Sequence, residues 1–151
     1  MSKPSSINNN NHGLIQPYLF FEGRCEEAIE FYRRTIGAEV LSLFRYKDSP
    51  QPPQAGQLPP NWENKVMHAS FRIGQTTLLG SDGCSESKPK FEGFSLSLTL
   101  PTADEAERAF TALAEGGQIR APLSKTFFSE KFGMLADRFG IGWMVLVTPQ
   151  G

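Results

Sequence analysis

Only two cysteines and two histidines occur in the 151 residues. Cys25 and Cys84 lie far apart and share no motif spacing, which excludes a disulfide framework and a paired-cysteine zinc site. His12 falls in a polar, Asn-rich N-terminal stretch, so His68 is left alone and no histidine cluster can form. Basic residues are not gathered into a run. Lys and Arg are scattered among Asp and Glu for a formal net charge of -1, so neither nucleic acid nor a membrane is an expected partner. No apolar stretch is long enough to span a bilayer, and residues 1–13 lack the apolar segment of a signal peptide. A reducing cytoplasm is the expected compartment. A Gly-rich phosphate loop of the GxGxxG or P-loop type is also missing.

What remains is an ordinary globular composition, 39% hydrophobic and 21% charged, with a heavy load of twelve Phe beside three Tyr and two Trp. These rings can fill a core and line a cavity. Residues 1–13 read as a disordered tail ahead of a single domain over 14–151. A strand is expected over 14–21. A helix follows over 24–36, where Ala28, Ile29, Phe31, Tyr32 and Ile36 recur at helical spacing before Gly37 as a left-handed cap. Strands are expected over 38–46, 65–73 and 76–82. The stretch 48–64 holds five of the eleven prolines and is read as irregular, with Trp62 either covering a ligand or anchoring the loop to the body.

The plan then repeats after a polar linker over 84–90. A strand over 93–100, a helix over 103–114 ending at Gly116-Gly117, a short strand from Gln118, and a hairpin turned around Gly140 are expected. Glu27-Ala28 and Phe31 answer Glu105-Ala106 and Phe110, and Arg72-Ile73-Gly74 answers Arg138-Phe139-Gly140. Two βαβββ modules, 14–83 and 91–149, are the result, each needing its twin to bury its open face.

The segments PYLFFEGRCEEAIEFYRRTIGAEV, MHASFRIGQTTLLGSD, FEGFSLSLTLPTADEAERAF and DRFGIGWMVLVTP together resemble the PhnB-like branch of the glyoxalase/bleomycin-resistance proteins, the vicinal oxygen chelate superfamily. The resemblance runs from about Gln16 to Pro149. It implies an α+β fold in which paired βαβββ modules form an incomplete barrel around a cavity, and it implies a homodimer. Metal-using members hold a divalent ion on four cavity-facing strand positions. By the resemblance these fall near Gln16, Leu79, Ser95 and Met144, although a register one residue later would put Pro17 in place of Gln16. Leu79 has no donor, Ser95 is a neutral hydroxyl and Met144 offers a soft thioether, so no metal or other cofactor is expected. Some members of the branch carry a name for ubiquinone methyltransfer. The missing Gly-rich turn argues against a nucleotide-like methyl donor.

Strand alternation puts Tyr18 beside Gln16, His68 opposite the apolar set Ala69, Phe71 and Ile73, and Ser97 beside Ser95. The expected ligand-binding set is therefore Gln16, Tyr18, His68, Ser95, Ser97 and Met144, with no catalytic residue assigned. Asp82 and Asp137 each sit beside a hairpin or turn, and Asp137 is read as structural, an acceptor for turn N–H groups, with catalysis the minority reading. Cys84 is read as an exposed thiol. The function expected is binding of a small molecule without the superfamily metal. A metal-dependent lyase, isomerase or dioxygenase rearranged around Gln16 and His68, and a structural or regulatory partner protein, are the alternatives.

Overall fold

The computed structural model describes residues 13–51, 57–85 and 87–149, so most of the expected tail lies outside the described residues. The element order is β1 (Tyr18–Phe20), α1 (Cys25–Ile36), β2 (Glu39–Arg45), β3 (Val66–Ile73), β4 (Thr76–Ser81), then β5 (Leu96–Leu100), α2 (Ala103–Ala114), β6 (Gln118–Ser124), β7 (Phe132–Ala136) and β8 (Gly142–Val147). Two four-stranded mixed sheets result, ordered β1-β4-β3-β2 and β5-β8-β7-β6. The first strand of each module pairs in parallel with the last, and the other pairs are antiparallel. Identical topology in the two halves is what a repeated βαβββ plan produces, and neither sheet closes into a barrel.

Two strands are shorter than their hydrophobic runs suggested. Pro17 has no N–H to extend the β1 ladder, and its carbonyl makes the last contact, accepting from Leu79 N at 2.9 Å. Leu14 and Ile15 before it stand 78% and 98% exposed. At the other module Gly93, with φ of 83°, turns the chain, and β5 begins only at Leu96.

Each helix buries one stripe. Cys25, Ala28, Ile29 and Tyr32 of α1 and Ala106, Ala109, Phe110 and Leu113 of α2 are buried, and the two helices pack on each other. The helix-covered faces of both sheets join in one core. Phe71 and Leu78 come from the first sheet, and Leu135, Trp143, Val145 and Val147 from the second. Tyr32 sits at the junction, stacked near Phe71 and edge-on to Phe139 and Trp143. The helix α1 ends as expected at Gly37, whose φ is 72°.

Both aspartates are structural. Asp82 is buried and accepts from Cys25 N at 2.7 Å and Val66 N at 2.6 Å. Arg24 at the N-cap makes no side-chain cap bond, so Asp82 supplies, from 57 positions beyond Cys25, the acceptor that α1 lacks locally. Asp137 accepts from Phe139 N at 2.8 Å and Ile141 N at 3.1 Å through one oxygen. Its other oxygen accepts from Tyr32 Oη at 2.5 Å and Trp143 Nε1 at 2.9 Å, which ties the two modules together. Trp62 anchors its loop: it is buried, and its Nε1 donates to Gly83 O at 2.9 Å.

Burial, followed by the charge of Asp137, pushes the Tyr32 phenol well above its ordinary value. A raised phenol stays neutral in the fold but ionises near pH 10 in the unfolded chain. Its contribution is complete below about pH 10 and is lost as pH rises toward the folded value. We expect urea midpoints to fall above about pH 10 more steeply than in Tyr32→Phe. Parallel curves for the two proteins would contradict this.

Candidate functional site

The candidate site is built from the sheet faces turned away from the helices. In the first module, alternation buries Leu19 and Phe21 and exposes Tyr18 and Phe20 at 38% and 51%. This is the register that puts Gln16, not Pro17, on the open side. Strand pairing sets Tyr18 beside Leu79, Leu79 beside Ser70, and Ser70 beside Ser42. The Ser42 and Ser70 hydroxyls lie 2.8 Å apart. Phe44 pairs opposite His68, so it shares that face.

Tyr18 Oη lies 2.9 Å from His68 Nδ1, so His68 has the partner that the sequence did not reveal. Burial raises the Tyr18 phenol above its ordinary value, although hydrogen bonding at Ser81 works in the opposite sense. The phenol and the imidazole share one hydrogen bond, which leaves His68 Nε2 as the ring nitrogen not engaged with Tyr18. The rings of Tyr18 and Phe20 are 4.9 Å apart, and those of Tyr18 and His68 are 5.5 Å apart. An aromatic ledge with one polar pair is the outcome.

In the second module the equivalent row runs Ser97, Met144, Met134, Ala121. Ser97 is exposed and Met144 half-buried, while Trp143 and Val145 beside it point into the core. Ser95 precedes β5, with its hydroxyl close to Gly142: a Cβ built there would lie 2.9 Å from Ser95 Oγ. Strand alternation already set Phe20 on the same side as Tyr18; sequence reasoning missed Phe44 and Met134. Met134 was legible as the facing partner of Met144 across the hairpin. Phe44 was not, because register shifts between Val40 and Ser42 and between Phe44 and Arg45 break the simple alternation of β2.

The six expected residues fall into two groups within one chain. Tyr18 and His68 touch, and Gln16 lies on the same strand segment, its Nε2 donating to Thr77 O at 3.4 Å. Ser97 and Met144 are neighbours on the other sheet, with Ser95 nearby. A cleft of about 640 Å³ lined by Pro17, Leu78, Ser95, Ser97 and Trp143 runs along the β5 edge. Tyr18 and Phe20 border a separate cleft with Phe91 and Phe94.

Leu79 and Met144 occupy matching places beside the first strands of their sheets, and neither offers a hard donor. Among the described residues no three His, Cys, Asp or Glu side chains come together as a ligand set. Cys25 is buried, and burial, followed by the charge of Asp82, pushes its thiol far up, which disfavours the thiolate. Cys84 is exposed, as expected. No helix among the described residues is long and apolar enough to cross a membrane.

Comparison with known proteins gives this geometry a family. Residues 14–146 match the family described as 3-demethylubiquinone-9 3-methyltransferase. Protein YjdN of Escherichia coli K12 is 34% identical over 144 residues, covering 90% of this chain and 96% of that one. The structure of PA1353 from Pseudomonas aeruginosa superposes with a TM-score of 0.78 at 37% identity, over 92% of this chain and all of that one. A PhnB protein from Bacillus cereus gives 0.74 at 31% identity, over 90% of this chain and 100% of that one. At the level of fold alone, a glyoxylase/bleomycin resistance protein/dioxygenase domain from Frankia gives 0.59 at 12% identity, over 91% of this chain and 98% of that one. The chain therefore belongs to the PhnB-like family of 3-demethylubiquinone-9 3-methyltransferase-like domains, built on the glyoxalase/bleomycin-resistance fold.

Proposed function

We propose that this protein binds a planar, amphipathic small molecule on its open sheet faces, without a metal. The observation that carries the reading is the exposed aromatic ledge of Tyr18, Phe20 and Phe44 around the Tyr18–His68 hydrogen bond. Rings left half in water gain most from stacking against a flat ligand, and a single polar pair fixes its orientation. His68 Nε2 and the Ser97 hydroxyl are the groups that would meet the polar edge of such a ligand. Met144 and Met134 would supply a soft, adaptable floor.

Two chains are needed for enclosure in this reading. Each chain turns both open faces outward, because its helices and inner faces share the core. The matching topology of the two sheets lets the first module of one chain close over the second module of another. Ligand would then be held between a Tyr18–His68 ledge and a partner's Ser97–Met144 floor.

Methyl transfer from a nucleotide-like donor gains no support from the helix ends. The Asp82 carboxylate already occupies the N-terminus of α1, and Thr102 with Glu105 caps α2. The test is a thermal-shift panel of planar aromatic compounds with chelator-treated protein. At least one compound is expected to raise the melting temperature. His68→Ala and Tyr18→Phe are expected to weaken that compound about tenfold, the scale of one lost polar anchor. A panel without a single shift would remove the main support.

A further inference from the structure

The cleft of about 350 Å³ beside Tyr18 and Phe20 lies along the outer edge of β1, and residues 89–91 and Phe94 form its far side. It has an aromatic pair on each wall. The rings of Tyr18 and Phe20 are 4.9 Å apart, and those of Phe91 and Phe94 meet edge to face at 6.4 Å. Phe91 is braced from behind by Phe21, at 5.7 Å. Among the described residues no ring contact joins one pair to the other, so open space separates the two walls. Phe20 and Phe94 stay 51% and 46% exposed.

Polar groups face the same space. Pro17 O and Phe21 N are both bonded to β4, and Leu19 between them pairs with Gly80. Backbone groups alternate along a parallel edge strand, so Tyr18 and Phe20 turn their N–H groups outward, toward the cleft. Neither makes a further backbone bond among the described residues. Free N–H groups on a strand edge are ready donors. Lys90, on the cleft wall, is exposed and has no ion-pair partner among the described residues. Glu22 also borders the cleft, but its carboxylate lies against Gly83, which does not. The charge on offer is therefore positive.

We infer that this cleft binds a small aromatic carboxylate within a single chain. The ring lies between the two aromatic pairs, and the carboxylate accepts from Lys90 and the outward N–H groups of β1. Half-exposed rings on both walls favour a flat guest, and charge-assisted bonds select an anionic one. The volume falls at the small end of ligand pockets, which suits one or two fused rings. This site shares Tyr18 and Phe20 with the ledge but uses neither His68, Ser97 nor Met144, so either can fail without the other.

The test is a two-dimensional NMR titration of the full chain with 2-naphthoate, 2-naphthamide and decahydro-2-naphthoate, followed at the Phe20, Lys90 and Phe94 amides. The three probes match in size, and the second lacks the charge while the third lacks the flat ring. Naphthoate is expected to bind about tenfold more tightly than either. Lys90→Gln is expected to abolish the preference for naphthoate over naphthamide while naphthamide still binds. Phe94→Ala, at an exposed position, is expected to weaken naphthoate about fivefold, and His68→Ala to leave it unchanged at these amides. The inference is overturned if no probe shifts these amides at about 5 mM, if wild type treats the three alike, or if Lys90→Gln leaves the preference intact. It is equally overturned if His68→Ala weakens naphthoate as much as Phe94→Ala does, which would place the ring on the ledge. Shifts of the Tyr18 and Phe20 amides with protein concentration alone would give the β1 edge to a second copy of the chain and also overturn it.

Discussion

Asp137→Ala is expected to lower the stability of the fold by about 4 kcal/mol, read as a shift in the urea midpoint at constant slope. The carboxylate is buried and accepts four hydrogen bonds, two from its own turn and two from Tyr32 and Trp143. Truncation strands all four donors, at about 1–3 kcal/mol for each one that water cannot reach. The turn amides can relax toward solvent more easily than the Tyr32 hydroxyl and the Trp143 indole, which lie in the core. Asp137→Asn keeps one acceptor oxygen but turns an NH2 toward donors, so about 2–3 kcal/mol is expected. With total stabilities of about 5–15 kcal/mol, either loss is a large share. A cost below about 1 kcal/mol for the alanine variant would show that the two modules are held by apolar packing alone.

Gly117→Ala is expected to cost about 3 kcal/mol for a different reason. A Cβ at this position would lie 2.1 Å from Ala136 O and 2.8 Å from Asp137 C. Gln118 pairs with Ala136, so the clash falls on the backbone at the start of the β6–β7 ladder and beside the Asp137 turn. Backbone cannot swing aside as a long side chain does. Gly37→Ala is the control: its φ of 72° is left-handed, but nothing lies within 4 Å of the added Cβ. It should cost about 1 kcal/mol, the conformational term alone. Equal losses at the two sites would mean that β6 and β7 separate without penalty.

Much of this architecture was readable because its signals are local. The α1 stripe with Gly37 behind it, the α2 stripe before Gly116-Gly117, and the polar linker each name their element without reference to the rest of the chain. The parity of β1 followed from alternation: buried Leu19 and Phe21 force Tyr18 outward. Asp137 was legible as a turn holder from its place before Arg138-Phe139-Gly140. Its bonds to Tyr32 and Trp143 were not, because they join residues 105 positions apart in the first case and depend on packing between modules. The Tyr18–His68 bond spans 50 positions and was hidden for the same reason. So was the Asp82 link to α1, since the local N-cap, Arg24, gives no sign of it.

The division of the candidate site between two sheets also lies beyond sequence reading. Alternation tells which residues leave the helix-covered face but not which open faces meet. Within one chain Tyr18 borders one cleft and Ser95 with Ser97 another, and in the proposed reading the two sets meet across two chains.

The most direct test of the account is a fluorescence titration of mixed chains with anilinonaphthalene sulfonate, a planar amphipathic probe, in the presence of chelator. His68→Ala damages the ledge and Ser97→Trp obstructs the floor, so each variant alone should bind the probe weakly. Refolded together in equal amounts, they should recover about a quarter of the wild-type sites, because half the dimers are mixed and each mixed dimer has one intact pocket. Failure to recover any sites, or wild-type binding that chelator abolishes, would contradict a metal-independent pocket shared between two chains.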